Sequence, residues 1–331
     1  MSFNQFVLRE QYLKVKGLGD RLVLMKEQID WTPFVPIVRN VFIDGTSAGG
    51  RPHTDELIVV RAVLLQAMYG LTDPELEFQC NDRLSFRNFL GFPENIPDFS
   101  TIWKIRDRLQ KEGVDVRIWD ELQRQLDNKG YTIQKGVIQD ATFVEANVGK
   151  KRHYKEKKAK MRGEEIVYTP KQKQHIDADG TFSVKNGQVH YGYKTHTKMD
   201  VKHVLIREYA VTTASLHDGE IDLIRDGDTK AYRDKGYFGK ELHAKNVKDN
   251  TMQRGTRAGS ISKKDEERNF RISKIRAQGE RPYSVIKSVF NNSQTRVKTL
   301  ARVTIKEMFK CFAYNLYQLV TLIRKKLARA I

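Results

Sequence analysis

The chain has 331 residues, 39% of them apolar and 30% charged, which allows one large domain or two ordinary ones and excludes disorder throughout. Lys and Arg total 59 against 41 Asp and Glu, and a net charge of +18 attracts polyanions over long range, so composition favours nucleic acid as partner. No stretch approaches the roughly 18 apolar residues of a membrane span, and MSFNQFVLREQYLK lacks a signal peptide's apolar core, so the expected location is the cytoplasm, with no membrane partner.

Residues 1–130 read as helical. In TDELIVVRAVLLQAMY (54–69), Thr54 is the expected N-cap, Leu57, Val60, Val63, Leu64 and Met68 give an apolar face, and Gly70 ends the helix. Further helices are predicted over 73–80 and 82–90, the latter closed by Gly91-Phe92-Pro93. Ser100 is the expected cap of STIWKIRDRLQ, where Ile102, Ile105 and Leu109 form a stripe. Short helices with tight breaks suit a helix-turn-helix-like bundle that presents a helix to DNA, although many such bundles bind none. Cys80 and Cys311 are too few and too distant for a zinc site or disulfide framework, and both sit in apolar helical contexts expected to be buried.

After Gly130 the pattern changes, and YTIQKGVIQDATFVE (131–145) alternates as a strand pair would. The Lys-rich stretch 150–174, with Lys150, Lys151 and Arg152 at its start, reads as a solvated loop or a DNA-contacting arm. Strands are predicted over 187–197 and 203–213, a helix start at 216–226 and a short strand at 229–234. From about 238 the chain reads as mainly helical, with a short helical insertion at about 240–275, one helix over 280–290 and another over 304–329. Helices followed by strands and more helices suggest an N-terminal helical domain (1–130) attached to an α/β domain (131–331).

Three carboxylates stand in informative settings. Asp140, in IQDATFVEA, lies in a strand-like run where an unpaired charge needs a metal, a cation or backbone donors. A cap or turn residue is the plainer reading, and Glu145 is the alternative ligand, on the opposite face of an unbroken strand. Asp234, in YRDKGYFG, ends a strand at a glycine-bearing turn, a position equally suited to an ordinary turn aspartate. Glu280, in RAQGERPYSVIK, opens a basic helix on which Tyr283, Ser284 and Lys287 share its face. Pro282 is tolerated in the first turn. Carboxylates drawn from strand ends and a helix can hold Mg²⁺, while Arg276 and Lys287 contact phosphates; the plain alternative is a salt-bridged surface. His190, His196 and His203 fit no zinc spacing and read as structural, whereas His217, at a strand-to-helix junction, is a candidate supporting residue.

In these motifs the chain resembles the DDE transposases of bacterial insertion sequences, specifically the insertion-sequence-five group. Residues 50–92 and PDFSTIW (97–103) resemble that group's N-terminal helical region, IQDATFVEA its first-Asp strand, VHYGYKTHTKMD and IREYAVTTASLHDGE its intervening strands. YRDKGYFG resembles its second-Asp motif and GERPYSVIK its final Glu helix. Arg276, Glu280 and Lys287 hold the Arg, Glu and Lys positions of a related group's signature, whereas Ser273 stands in place of its Tyr. Gln278 and Gly279 depart from the basic and apolar residues expected before the Glu. The resemblance implies an RNase H-like core, a mixed five-stranded sheet flanked by helices, with Asp140, Asp234 and Glu280 catalytic and metal-binding. The short spacing from Asp234 to Glu280 leaves no room for a large β-rich insertion. The resemblance further implies two Mg²⁺ ions, which Mn²⁺ can replace, and double-stranded DNA (element ends and target) as substrate, bound by a homodimer. DNA contacts from Arg276, Lys287, Lys150, Lys151 and Arg152, and supporting roles for His217 and Tyr237, follow from the same likeness. The expected reaction is cleavage at the element's terminal repeats and strand transfer of the 3′-OH ends; an RNase H-like nuclease that does not join, or a decayed DNA-binding derivative, are the alternatives.

Overall fold

A computed structural model describes residues 2–42, 55–148, 152–164, 166–173, 175–255 and 259–328. Eight helices come first: α1 (Phe3–Gly17), α2 (Arg21–Lys26), α3 (Phe34–Val38), α4 (Glu56–Tyr69), α5 (Asp73–Asp82), α6 (Leu84–Leu90), α7 (Phe99–Lys111) and α8 (Val114–Asn128). Then follow β1 (Val137–Glu145), α9 (Arg152–Met161), α10 (Pro170–Lys173), β2 (Thr181–Lys185), β3 (Gln188–Asp200), β4 (Ile206–Thr213), β5 (Lys230–Arg233) and β6 (Lys248–Thr251). The chain closes with α11 (Lys263–Arg276), α12 (Glu280–Ser284) and α13 (Leu300–Ala328).

Local chemistry sets the helix ends. Asp55 caps α4 by accepting from the Leu57 N–H at 2.8 Å, and Thr54 lies outside the described residues. Asp98, not Ser100, caps α7 by accepting from the Thr101 N–H at 2.7 Å. α4 ends at Gly70 with φ +60°, where a Cβ would stand 2.5 Å from the Asn291 carbonyl oxygen, so both the turn and the contact require glycine. α4 is buried almost all round instead of on one stripe, because α13 packs against it and continues over α2, α7, α8 and β4. One apolar core therefore runs from Leu22 through the N-terminal helices to Phe312 and Val320, across position 130. No single described helix is long and apolar enough to cross a membrane.

β3 is the axis of the sheet. β1 runs antiparallel along it, from Val137 opposite Asp200 to Glu145 opposite Gly192. On its other edge β2 pairs with the first part of β3 and β4 with the rest, both antiparallel. β5 joins β1 in parallel, and β6 joins β5 in parallel. Six strands thus form a mixed sheet five strands wide, in the arrangement of an RNase H-like core.

Several local expectations give way to tertiary pairing. Residues 131–145 supply one strand and not two. The basic stretch read as a solvated loop or a DNA-contacting arm contains α9, whose Lys, Glu and Ala residues are good helix formers. At 216–226 there is only the 3₁₀ turn Asp218–Glu220. The stretch 240–275 holds β6 as well as α11, because KDNT, poor in strand formers, is recruited by β5. The 280–290 helix is α12 followed by a π-helical turn over Val285–Val289. His196 and His203 are buried, His196 beside Thr212 at 2.9 Å and His203 beside Asp200 at 3.1 Å, and His190 faces Glu145. Both cysteines are buried free thiols.

Candidate active site

The parallel pairing of β1 and β5 matches Ile138 with Tyr232, so Asp140 and Asp234 each lie two residues beyond the last matched pair, at neighbouring strand positions. Asp140 accepts from the Ala141 N–H at 2.9 Å, and its side chain is 18% exposed. Burial pushes its pKa up to about 6; Arg276 opposes that rise and the charge of Asp234 adds to it. Asp234 turns the chain out of β5: its carboxylate accepts from the Gly236 N–H at 2.8 Å, starting the 3₁₀ turn Lys235–Tyr237. A Cβ on Gly236 would sit 2.9 Å from that carboxylate, so glycine permits the turn.

A rod of helix, running from α11 through a 3₁₀ turn at Ala277–Gly279 into α12 and the π turn, lies along β1. Gly279 packs on Ile138, where an added Cβ would stand 2.9 Å from Cγ2. The Tyr283 hydroxyl donates to the Asp140 carbonyl at 2.8 Å and lies 2.7 Å from the Thr197 hydroxyl. Lys287 Nζ donates to Thr142 Oγ1 at 2.6 Å, and burial lowers its pKa. Four helical residues rise about 6 Å and two strand residues about 6.6 Å, so every fourth helix position meets every second position of β1. This register accounts for the departure at Gly279: the apolar position has no room for a side chain.

Arg276 sits 3.5 Å from Asp140 Oδ1, balancing that carboxylate with a guanidinium. Glu280 is exposed, and among the described residues it has no hydrogen-bond or ion-pair partner. The fold thus brings Asp140, Asp234 and Arg276 together and places Glu280 on the covering helix. Among the described residues no three Asp, Glu, His or Cys side chains converge closely enough to hold a metal. The donor chemistry still fits a divalent cation: two hard oxygen ligands repel each other at adjacent strand ends. Ser273 makes only a helix-internal bond, to the Phe270 carbonyl.

Around this centre, His217 is exposed and its Nδ1 accepts from the Gly219 N–H at 3.1 Å, capping the turn that packs on Gly236. Tyr237 is buried beneath; burial and the charges of Asp218, Asp140 and Asp234 push its pKa up. Lys150 and Lys151 lie outside the described residues, as does the side chain of Arg152, whose backbone opens α9. Sequence reasoning missed the opposite face of the sheet. There Lys194, largely buried, pairs with Asp218 at 2.8 Å, and Gln139 bonds Ile221 and Leu223, fixing the loop before β5. The signal was available, since Lys194, His196 and Lys198 alternate along one strand face.

A mixed sheet with two carboxylates at neighbouring parallel strand ends, covered by a basic helix, defines an RNase H-like protein with an acidic strand-end site. Residues 132–316 match the family model described as Transposase DDE domain, and residues 10–108 match that described as Transposase domain (DUF772). The chain belongs to the DDE transposase family of insertion sequences. No solved structure matches it.

Proposed function

We propose that this protein is the transposase of an insertion sequence of the insertion-sequence-five group. In this reading it binds the terminal inverted repeats of its element as a homodimer, cleaves the DNA and joins the 3′-OH ends to target DNA. The observation that carries the reading is the meeting of Asp140 and Asp234 at adjacent strand ends beneath the Arg276–Lys287 helix.

Asp140 and Asp234 would hold Mg²⁺ or Mn²⁺, with Glu280 as third ligand once DNA is bound. The ions would supply Lewis-acid stabilisation of the scissile phosphate and lower the pKa of the attacking hydroxyl. Tyr283 fixes the backbone of Asp140 by its hydrogen bond, so the carboxylate is held against the strand end. Arg276 neutralises Asp140 in the free protein and is freed to meet a phosphate when a cation takes its place. Lys287, Lys150, Lys151 and Arg152 add phosphate contacts that give affinity and position, while the N-terminal helices choose sequence through base contacts. His217 and Tyr237 support the Asp234 turn.

The test is metal-dependent cleavage and strand transfer with the DNA that flanks this reading frame. Cleavage and joining by the wild type, lost in Asp140→Asn, Asp234→Asn and Glu280→Gln, is the expected result. Cleavage without joining of pre-cut ends would make the protein a nuclease, and full activity of Asp140→Asn would overturn the site.

A further inference from the structure

A groove of about 360 Å³ opens between the first turn of α7, the start of α5, the loop at 291–299 and α13, far along β1 from the acids. Phe99 and Trp103 line it and are 47% and 39% exposed. Arg302 lies over the Trp103 ring at 5.3 Å. Two cations, Arg296 and Lys306, also line it, and neither has a hydrogen-bond or ion-pair partner among the described residues. The one carboxylate in the lining, Asp73, is bonded by Arg106 at 2.6 and 3.0 Å and by Gln66 at 2.6 Å, and reaches Lys306 only through its charge. Burial and nearby Arg106 bring the Lys306 ammonium down to about 7, the state of a lysine that an anion would re-protonate.

The groove is tied to the catalytic strand. The Thr295 N–H donates to the Glu145 carbonyl at 2.8 Å and Gln294 bridges Glu145, the last residue of β1, so Arg296 follows directly from the end of the strand that bears Asp140. Five strand residues separate Asp140 from Glu145, about 17 Å at ~3.3 Å each. Exposed aromatic faces beside unpaired cations match a nucleotide, whose base offers a π-face and whose phosphate offers charge. A purely electrostatic DNA track would not need the rings, and a hydrophobic peptide would leave the cations unpaired.

We infer that this groove binds an unpaired nucleotide of the DNA strand leading from the Asp140–Asp234 site, with its base against Trp103 and its phosphates on Arg296 and Lys306. The inference rests on the transposase reading. It is tested with the full chain and a single-stranded oligothymidylate of about twelve nucleotides, against the same oligonucleotide made abasic. Trp31 and Trp119 are only 7% and 5% exposed, so quenching of tryptophan emission reports Trp103. Oligothymidylate is expected to quench and the abasic strand not. Trp103→Leu should bind roughly tenfold more weakly, Trp103→Phe should bind like the wild type without the quench, and Arg296→Gln and Lys306→Gln should each flatten the salt dependence by about 0.7. Equal quenching by the abasic strand, or unchanged affinity in Trp103→Leu, overturns the groove while metal-dependent cleavage survives. A wild type that binds neither strand and does not nick plasmid DNA with Mn²⁺ overturns the transposase reading and the groove with it.

Discussion

Replacing Asp140 with asparagine should make the metal-free protein more stable while removing its activity. Burial raises the Asp140 pKa from an ordinary 3.8 to about 6, against the opposing charge of Arg276. The folded state therefore holds this proton more tightly than the unfolded chain. Below the unfolded value both states are protonated and nothing is lost. As pH rises from 3.8 through about 6 the folded protein loses stability, and above that the loss is complete. About two pKa units at 1.36 kcal/mol each come to about 3 kcal/mol. Asparagine resembles the protonated acid in shape and charge, so it escapes this cost. With an unfolding entropy of about 0.7 kcal/mol/K for a chain of this length, the gain corresponds to about 4 °C in Tm.

Urea and thermal unfolding across pH 4 to 8 are the assay. The two proteins should coincide near pH 4, diverge through about pH 6 and run parallel above it. Mg²⁺ should then raise the wild type and leave Asp140→Asn unmoved, because ligand binding to the folded state alone adds about 2.7 kcal/mol at a hundred times Kd. An Asp140→Asn protein less stable than wild type near pH 7.5, or a gap already present at pH 4, would refute the reasoning.

Glu280→Gln should differ: the side chain is exposed and unpaired, so stability should stay within about 0.5 kcal/mol while strand transfer is lost. Gly279→Ala should cost about 1–3 kcal/mol in urea unfolding, because its Cβ would press on Ile138 and lift the helix from β1. Tyr283→Phe gives up a buried hydroxyl with two partners and should cost about 1–2 kcal/mol, with a fall in kcat as Asp140 loosens. Asp73→Ala strands a buried guanidinium and should cost about 3–5 kcal/mol near pH 7. Burial raises the Asp73 pKa but the bonds to Arg106 and Gln66 outweigh it and leave it lowered, so this contribution is lost as pH falls through the folded pKa.

The setting of each acid was legible from local chemistry (a strand-like run, a glycine turn, a basic helix), and the fold puts Asp140 and Asp234 at neighbouring strand positions and Glu280 on the covering helix. The order of helices, strands and helices was legible from local chemistry too. What escaped depended on partners distant in sequence. β6, with Thr251 as its one strand former, exists because β5 pairs with it. β2 was missed although Asn186 and Gly187, at φ +52° and +78°, form a strong local hairpin signal, because the predicted strand began at 187, within the turn itself. Gly279 looked like a departure at a helix position expected to be apolar, and only the spacing between helix and strand shows why a side chain has no place there.

The N-terminal helices and the site are not separable parts. α13 belongs by sequence to the region of the acids, yet Phe312 stacks on Trp31 and Phe34. The loop that follows the Lys287 turn also reaches back, since the Asn292 side chain donates to the Ala67 carbonyl at 2.9 Å and Gly70 makes room for Asn291. A one-residue change at Gly70 would thus act on the end of α4 and on the loop leading from the covering helix at once. If α4 through α7 hold DNA as proposed, one continuous apolar core ties them to the elements around Asp140. Such a connection would suit the proposed reaction, in which DNA is cut at a set spacing from the sequence that is read.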